Sequence, residues 1–314
     1  MPKRKYGRPK RRVIDQETIS QFLKSIGFKV ESIAQEWRHL HAFGKYQNKD
    51  AVFKLASTQK TSSKTQNEYH WNEAVHLVPE EKRPNLEVPL NYSSGSYGNL
   101  FYFIAERFLG EPLVVRNSQD LSKVTPRIKQ IAQMTREVET LLIPEDCKFA
   151  IFQKPKDNPT PIGHNLFAAC IEWASQIPMD LAKFLKVLEE AKDNLRSCVD
   201  HGDFVIRQMW DVKGKIGIID GEHAGLRGPL YYDVAQFYIR LRNDQNAPEL
   251  SRDYLLAFKD LLSISDQDTY WEELKPLLIE RYIGDLWGAA LKKDGKRLNG
   301  LTPLGQEILE DKII

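Results

Sequence analysis

The spacing of apolar residues divides the chain into two parts. Apolar residues recur every three or four positions between Asp15 and Ile26, which predicts a helix with Asp15 at its N-cap. From residue 28 to residue 56 the spacing shortens to two, which predicts three strands. A helix that ends near Val78 and a hairpin over residues 92–109 follow. The first third of the chain is therefore predicted to form a small antiparallel sheet with one inserted helix.

Beyond residue 112 the pattern becomes mainly helical. The exception is the stretch 201–220, where a turn at Lys213-Gly214 separates two predicted strands. Four prolines between residues 143 and 163 predict a long loop. Helices are predicted over residues 119–142, 164–177, 179–199, 231–242, 248–263 and 268–292. The pattern indicates an α+β protein with a β-rich lobe, a short connector and a larger helical lobe that holds one hairpin.

The composition is that of an ordinary soluble globular protein. The chain has 314 residues, of which 41% are apolar and 28% are charged, and this is enough for two packed lobes. No apolar run approaches the roughly 18–20 residues that cross a bilayer, and we recognise no secretory signal. Cys147, Cys170 and Cys198 have unrelated spacings, which predict neither a disulfide framework nor a zinc site. We therefore expect a cytoplasmic protein with no membrane contact.

The amino-terminal segment 1–13 differs in charge from the rest. It carries seven basic residues and no acidic one, so it cannot bury apolar surface and is predicted to be a disordered tail. One hypothesis is a solubilising arm. The other is a weak contact with nucleic acid, because Gly7-Arg8-Pro9 resembles the core of an AT-hook that lies in the minor groove.

Two aspartates flank the predicted hairpin of the helical lobe. Asp203 follows His201-Gly202 after a predicted helix, and Asp220 ends an apolar run seventeen residues later. Aspartates at opposite ends of a tight hairpin can converge on one point. Phosphoryl transfer needs such a pair, because one carboxylate orients the attacking hydroxyl and the other holds the cation that neutralises the phosphates. The spacing is therefore compatible with phosphoryl transfer.

The run HGDFVIRQMWDVKGKIGIIDGEHAGLRGPLYYDVA, residues 201–235, closely resembles the aminoglycoside phosphotransferase and choline kinase-like families. The resemblance implies a protein kinase-like two-lobed fold, with a nucleotide-binding lobe over residues 14–108 and a catalytic and substrate lobe over residues 109–314. It also implies a small-molecule kinase that uses ATP and Mg²⁺ to transfer the γ-phosphoryl group to a hydroxyl. The acceptor would be an aminoglycoside, choline, a sugar or an amino alcohol.

The same resemblance implies roles for single residues of this run. Asp203 would be the catalytic base and Asp220 a metal ligand, with Glu222 as an auxiliary acid near the metal. His201 would support the catalytic loop, and Asp233 would be a structural cap.

In the first lobe, Lys54 lies at the centre of a predicted apolar strand, where the resemblance implies a lysine that contacts the α- and β-phosphates. A helix glutamate should position this lysine. Glu68 and Glu73 are about 140° apart around a helix, so only one of them can face Lys54. Glu73, in NEAVHLV, matches the family pattern and is the predicted partner. Backbone groups near Glu106 and Phe108 are predicted to cradle adenine.

The chain departs from the family pattern at two places. Residues 35–41 should form the phosphate-covering turn but contain no glycine, so Arg38 or His39 would have to supply charge instead. Gln208 stands where the family has a metal-ligating asparagine. Its extra methylene can place the carbonyl oxygen too far forward, and magnesium demands near-octahedral ligands at about 2.0–2.1 Å.

Three functional hypotheses remain at this point. The first is an active small-molecule kinase, and the second is a nucleotide-binding pseudokinase that acts as an interaction module. The third is a nucleic-acid-associated protein that works through its tail. Acidic residues of the helical lobe would suit a cationic acceptor, although such residues are usually only solvated; they are Glu145, Asp146, Glu172, Asp244, Glu272 and Glu273.

Overall fold

A computed structural model describes residues 13–36, 38–116, 118–144 and 161–314. The predicted tail up to residue 12, most of the predicted loop 143–163 with Glu145, Asp146 and Cys147, and Trp37 of the phosphate-covering turn lie outside the described residues. Within the described part no helix is both long and apolar enough to cross a membrane.

The described residues form helices and strands in the following order: α1 (Gln16–Ser25), β1 (Phe28–Glu36), β2 (His39–Tyr46), β3 (Lys49–Ala56), α2 (Gln59–Leu77), β4 (Leu86–Glu87), β5 (Asn91–Tyr97), β6 (Leu100–Glu106), α3 (Ile128–Glu139), α4 (Ile162–Ala174), α5 (Ala182–Ala191), β7 (Ser197–Asp200), β8 (Met209–Val212), β9 (Lys215–Ile218), β10 (Gly225–Pro229), α6 (Tyr232–Asp244), α7 (Pro248–Lys259), α8 (Ile264–Leu291) and α9 (Gly295–Leu309).

The first lobe is a five-stranded antiparallel sheet with the strand order β1-β2-β3-β6-β5. Asp15 caps α1 as predicted, because its carboxylate accepts a hydrogen bond from the Thr18 amide at 2.7 Å. Phe53 and Leu55 of β3 pack in one core with the buried side of α1. Since neighbouring residues of a strand point to opposite faces, Lys54 lies on the other face of the sheet.

Helix α2 packs on β3, β5 and β6 of the first sheet and also reaches the core of the helical lobe. Trp71, Ala74, Val75 and Val78 belong to the large core that α3 and α6–α9 form. The short strand β4 then pairs in parallel with β9 in a three-stranded sheet, β4-β9-β8. The polypeptide thus enters the second lobe before it returns to complete the first sheet.

The connector between the lobes is fixed to the hairpin β8–β9. The Leu113 amide donates to the Met209 carbonyl, and the Asp211 amide donates to the Glu111 carbonyl, both at 2.9 Å. A Cβ atom on Gly110 would lie 1.6 Å from the Asp211 carbonyl oxygen, so only glycine permits this approach.

The predicted α+β two-lobed architecture is confirmed, but some boundaries are wrong. The helix predicted over 119–142 begins only at Ile128, after a 3₁₀ turn that contains Pro126. The helix predicted over 179–199 ends at Ala191, because Ser197–Asp200 pair with β10 instead. Helix α9 was not predicted, since glycines and a proline lower the helix propensity of its sequence.

Candidate active site

The loop that follows β7 carries the first predicted aspartate. The Asp233 carboxylate accepts hydrogen bonds from the amides of His201 at 2.6 Å and Gly202 at 3.0 Å, so it ties this loop to the start of α6. Gly202 has a φ of +73°, and a Cβ there would lie 2.5 Å from the His223 carbonyl oxygen. Burial lowers the pKa of His201 to about 4, so its ring is neutral at neutral pH. The loop therefore holds Asp203 in a defined place.

Gln208 joins the two aspartates on which the sequence prediction rests. Its side-chain amide donates to Asp203 Oδ2 at 2.9 Å and to Asp220 Oδ2 at 3.2 Å. Gln236 of α6 donates to the other oxygen of Asp203 at 3.4 Å. The two carboxylates thus converge on one point, as the hairpin spacing predicts.

An unusual backbone conformation sets the direction of the Asp220 side chain. It follows β9 with a φ of +69°, a region that residues other than glycine rarely adopt. The next residue, Gly221, lies so close to the Trp71 ring that a Cβ atom would be 2.3 Å from it. Strained residues of this kind are frequent at functional sites, where the surrounding packing holds them.

Lys54 connects Asp220 with helix α2. Its ammonium group lies 2.8 Å from Asp220 Oδ1 and 2.5 Å from Glu68 Oε2. Burial opposes the charge of Lys54, but the two carboxylates outweigh it and raise its pKa above the usual value. Burial likewise raises the pKa of Asp220, yet Lys54 reverses this effect and the pKa of Asp220 is lowered. Burial raises the pKa of Glu68 to about 7 against the opposing effect of Lys54.

The prediction that Glu73 is the partner of Lys54 is wrong. Glu73 is exposed, and its carboxylate accepts a hydrogen bond from Asn91 at 2.8 Å. The reason lies in the buried side of α2, which carries Thr61, Thr65 and Glu68 and places Glu68 against the sheet. These residues recur at four- and three-residue intervals, and this polar periodicity is the signal that could have identified Glu68.

The turn between β1 and β2 contributes one cation to the cleft. Arg38 forms an ion pair with Glu222 across the cleft. His39 does not supply charge, since its ring contacts the Thr65 hydroxyl at 3.0 Å and burial lowers its pKa to about 2. Of the two predicted substitutes for a glycine-rich turn, only Arg38 has the required charge.

Glu222, the predicted auxiliary acid, is buried beneath several cations. Besides Arg38, its Oε1 atom lies 3.2 Å from His223 Nε2 and 4.0 Å from Lys64 Nζ. Burial opposes ionisation, but the hydrogen bond from His223 and the charges of Lys54 and Arg38 lower its pKa overall. Lys64 and His223 were not singled out from the sequence, where a lysine on a helix and an isolated histidine carry no distinctive signal.

The donor set at this point suits an ion that is bound mainly by oxygen. Among the described residues no three His, Cys, Asp or Glu side chains form a preassembled metal cluster. However, Gln208 Oε1 and Glu222 Oε2 are buried oxygens without a hydrogen-bond partner. The oxygen and nitrogen of an amide can exchange places by rotation. Asp220 with the Gln208 amide therefore fits Mg²⁺, which typically takes one or two protein ligands and completes its shell with phosphate and water.

At the connector, two backbone amides of the predicted adenine site already form hydrogen bonds with other residues of the first lobe. The Glu106 amide donates to the Leu90 carbonyl at 2.8 Å, and the Arg107 amide donates to Asp50 at 3.2 Å. The Phe108 ring is buried against Gly217, where a Cβ would lie 2.6 Å from it. The role of the neighbouring backbone groups in binding adenine stays a prediction.

The described acidic residues of the helical lobe that could bind a cationic acceptor are either paired with arginine or exposed. Asp244 lies 2.9 Å from Arg297, and Glu273 lies 2.8 Å from Arg196. Glu172 and Glu272 are exposed on their helices. Next to Gln236, the guanidinium of Arg281 forms an ion pair with Glu280. Three acidic side chains of this lobe, Asp244, Glu273 and Glu280, thus have arginine partners.

Comparison with known proteins supports the fold. No protein-family model and no curated protein matches this sequence. Among solved structures, aminoglycoside phosphotransferase APH(4)-Ia in a ternary complex with ADP and hygromycin B is 14% identical, with 93% of this chain and 97% of that chain covered and a TM-score of 0.62. The GDP and kanamycin complex of APH(2″)-IIIa is 13% identical, with 94% and 99% covered and a TM-score of 0.63. The predicted protein kinase-like fold of aminoglycoside phosphotransferases is confirmed.

Proposed function

Starting from the fold that this chain shares with the aminoglycoside phosphotransferases, we propose that it is an ATP-dependent phosphotransferase whose acceptor is a hydroxyl group of a small molecule. The observation that carries the proposal is the bridge from Asp203 through Gln208 to Asp220, with Lys54 at 2.8 Å from Asp220. This arrangement supports the proposal, because it brings together side chains that could act as a base, a metal ligand and a phosphate-binding cation.

Asp203 would accept the proton of the acceptor hydroxyl. Two side-chain amides, those of Gln208 and Gln236, hold its carboxylate from both sides. An amide orients the carboxylate by donating N–H groups and adds no charge of its own. Each carboxylate oxygen keeps a further lone pair with which it can receive the hydroxyl.

The other side of the cleft would hold the triphosphate. Lys54 would contact the phosphates, with Glu68 to orient it. Asp220 and the Gln208 carbonyl would hold magnesium, with Glu222 as an auxiliary acid nearby. When bound, the ion would neutralise the charge that develops on the transferred phosphoryl group.

Adenine would lie against the connector near Glu106 and Phe108, below the face of the sheet that carries Lys54. Val52 shares that face with Lys54, because residues two apart on a strand point the same way. Adenine would then lie at one end of the cleft and the phosphates at the other.

For the acceptor, the pairing of three acidic side chains of the helical lobe with arginines favours a neutral polyhydroxyl compound over a polycation. Asp244, Glu273 and Glu280 all have arginine partners, so a polycation would have to compete with these arginines for its binding sites. APH(4)-Ia and APH(2″)-IIIa have been crystallised with hygromycin B and kanamycin, so aminoglycosides belong in any test.

The test is a phosphorylation screen of the purified protein with ATP and magnesium. Its acceptor panel should contain aminoglycosides, choline, neutral sugars and amino alcohols, with product mass as the readout. A product heavier by one phosphoryl group, absent with Asp203→Asn, supports the proposal. No product from any acceptor, together with clear nucleotide binding, would contradict it.

A second candidate is a nucleotide-binding pseudokinase. It is favoured by the Arg38–Glu222 pair, which joins the turn between β1 and β2 to the other side of the cleft, and by Gln208 in place of the family's asparagine. This protein would bind ATP but would not turn it over with any acceptor of the panel.

A further inference from the structure

Three side chains that can donate hydrogen bonds meet at the Glu222 carboxylate, beside the proposed phosphate site. Arg38 reaches it from the β1–β2 turn, Lys64 from α2, and His223 from the adjacent position in the chain. Lys64 Nζ also lies 3.1 Å from His223 Nε2. None of these three residues is needed for the base, the metal site or the Lys54 pair described above.

The position of this cluster relates it to the proposed triphosphate site. Lys64 precedes Glu68 by four residues, so both project from the same side of α2. Glu68 contacts Lys54, which contacts Asp220, and Glu222 is two residues beyond Asp220. The cluster thus continues the row of charged residues from Lys54 toward the turn that covers the cleft.

Accessibility distinguishes these cations from Lys54. The side chains of Arg38 and Lys64 are each 25% exposed, whereas that of Lys54 is 9% exposed. Arg38 and Lys64 are therefore accessible to a ligand that enters the cleft. Glu222, at 2% exposure, lies beneath them and holds both in place.

The chemistry of the cluster fits a phosphate group. A glycine-rich turn binds phosphate through backbone amides, but residues 35–41 contain no glycine. Arginine offers two parallel N–H groups to phosphate oxygens, and lysine offers a mobile point charge. We infer that Arg38 and Lys64 form a side-chain clamp that binds the terminal phosphates of the nucleotide in place of backbone amides. The inference rests on the proposed function, since it takes the ligand to be a nucleoside triphosphate.

Binding would then require an exchange of partners at Glu222. One carboxylate holds Arg38 and Lys64 in the structure, whereas the end of a triphosphate carries more than one negative charge. The phosphates would draw both cations from Glu222 and would leave that carboxylate available as the auxiliary acid. A purely structural role makes the opposite prediction, because a ligand would then have to compete with an Arg38–Glu222 bond that serves only to close the turn.

The experiment is calorimetry on the full chain with a non-hydrolysable ATP analogue, with AMP and with inorganic tripolyphosphate. We expect Arg38→Gln and Lys64→Met each to weaken binding of the ATP analogue by about 10-fold or more. Binding of AMP should stay within about twofold, since AMP lacks the terminal phosphates. Lys183→Met, an exposed lysine on α5, is the matched control and should change neither affinity.

Several outcomes separate the clamp from its alternatives. Unchanged or tighter binding of the ATP analogue by both Arg38→Gln and Lys64→Met overturns the clamp and leaves the proposed function intact. If the native protein rejects nucleotides but binds tripolyphosphate, and Arg38→Gln loses it, Arg38 belongs to a polyphosphate site, and both the proposed function and the clamp as a nucleotide site fail. If the native protein binds none of the three probes, both the clamp and the proposed function are overturned. Arg38→Lys, which keeps the charge, should retain part of the affinity and guards against a folding defect in Arg38→Gln.

Discussion

The two ends of the proposed cleft hold their carboxylates in different ways. At the phosphate end, Asp220 and Glu68 contact the buried ammonium of Lys54. At the transfer end, Asp203 is held by the neutral amides of Gln208 and Gln236. One end is thus organised by opposite charges and the other by hydrogen bonds from uncharged groups.

This difference separates two chemical tasks. Burial and charge shift protonation strongly at this end: Lys54 lowers the pKa of Asp220, whereas burial raises the pKa of Glu68 against the opposing charge of Lys54. Such a set is suited to binding a highly charged ligand. Amides orient Asp203 without fixing it to a cation, so its carboxylate can accept a proton. Gln208, which contacts both Asp203 and Asp220, links the two ends.

The largest effect is expected at the transfer end. Asp203→Asn keeps the size of the side chain but removes its proton-accepting carboxylate, so turnover should fall by about 10²–10⁴-fold. Nucleotide affinity, measured by calorimetry, should be unchanged. Asp253→Asn, an exposed position on α7, serves as the control. Near-native turnover of Asp203→Asn would remove Asp203 from the role of base.

At the phosphate end, Lys54→Met should act on binding. Loss of the ammonium removes charge-assisted contacts to phosphate, so ATP affinity should weaken by about 10- to 100-fold. Calorimetry with magnesium present measures this change. If ATP binds the variant as well as it binds the native protein, the two ends do not divide the tasks in this way.

The Lys54 partner provides a matched pair of variants. Glu68→Gln keeps a hydrogen-bond acceptor but loses the charge, so kcat/KM for ATP should fall about 10-fold. Glu73→Gln, on the exposed side of the same helix, should change kcat/KM by less than about twofold. Equal effects of the two changes would argue against the Lys54–Glu68 pair as the functional one.

Much of the site could be predicted because its chemistry is concentrated in one contiguous run. The spacing of Asp203 and Asp220 around a tight hairpin made their convergence predictable, and Lys54 stands out as a basic residue at the centre of an apolar strand. Such local patterns survive folding, since the distances they set depend on a few backbone torsions.

The partner of Lys54 could not be identified from apolar periodicity. The buried residues in the amino-terminal half of α2 are polar, with Thr61, Thr65, Asn67 and Glu68, so hydrophobic spacing does not show which side of that half faces inward. Contacts between distant segments, such as the ion pair between Arg38 and Glu222, depend on how the two lobes pack together. Helix α9 was missed for a different reason, because tertiary packing stabilises a sequence of low intrinsic helix propensity.

Gln208 tests whether the two ends are coupled. The resemblance in sequence predicts that Gln208→Asn raises magnesium-dependent activity, because an asparagine would restore the usual length of the side chain that binds the metal. The contacts predict the reverse, since the shorter amide cannot reach both Asp203 and Asp220, and turnover should fall by several-fold, less than about 10-fold. ATP turnover with magnesium and with manganese distinguishes these outcomes. A gain with magnesium would show that glutamine is a defect in the metal site.

The smallest effect concerns the pH dependence of stability at the phosphate end. The pKa of Glu68 is about 7 in the folded protein and 4.5 as an ordinary value, so its contribution to stability is present below pH 4.5 and is lost as the pH rises toward 7. Glu68→Gln should remove this loss, at most roughly 1.4 kcal/mol per pH unit. Urea unfolding of both proteins at pH 5 and pH 7 measures the difference. A stability difference that does not grow with pH would contradict the raised pKa.

The packing of α2 determines which side chains of the site move together when the two lobes rotate relative to each other. The helix of Glu68 packs on β3, β5 and β6 of the sheet that carries Lys54, and it also enters the core of the helical lobe through Trp71 and Val75. Lys54 is carried by the sheet. Since Gly110 is fixed to β8, a rotation of the sheet would be absorbed over residues 107–109. Such a rotation would move Lys54 and Glu68 together and would lengthen the Lys54–Asp220 distance, while Asp203 and Gln208 stayed with Asp220. The Lys54–Asp220 distance would therefore report the opening of the cleft.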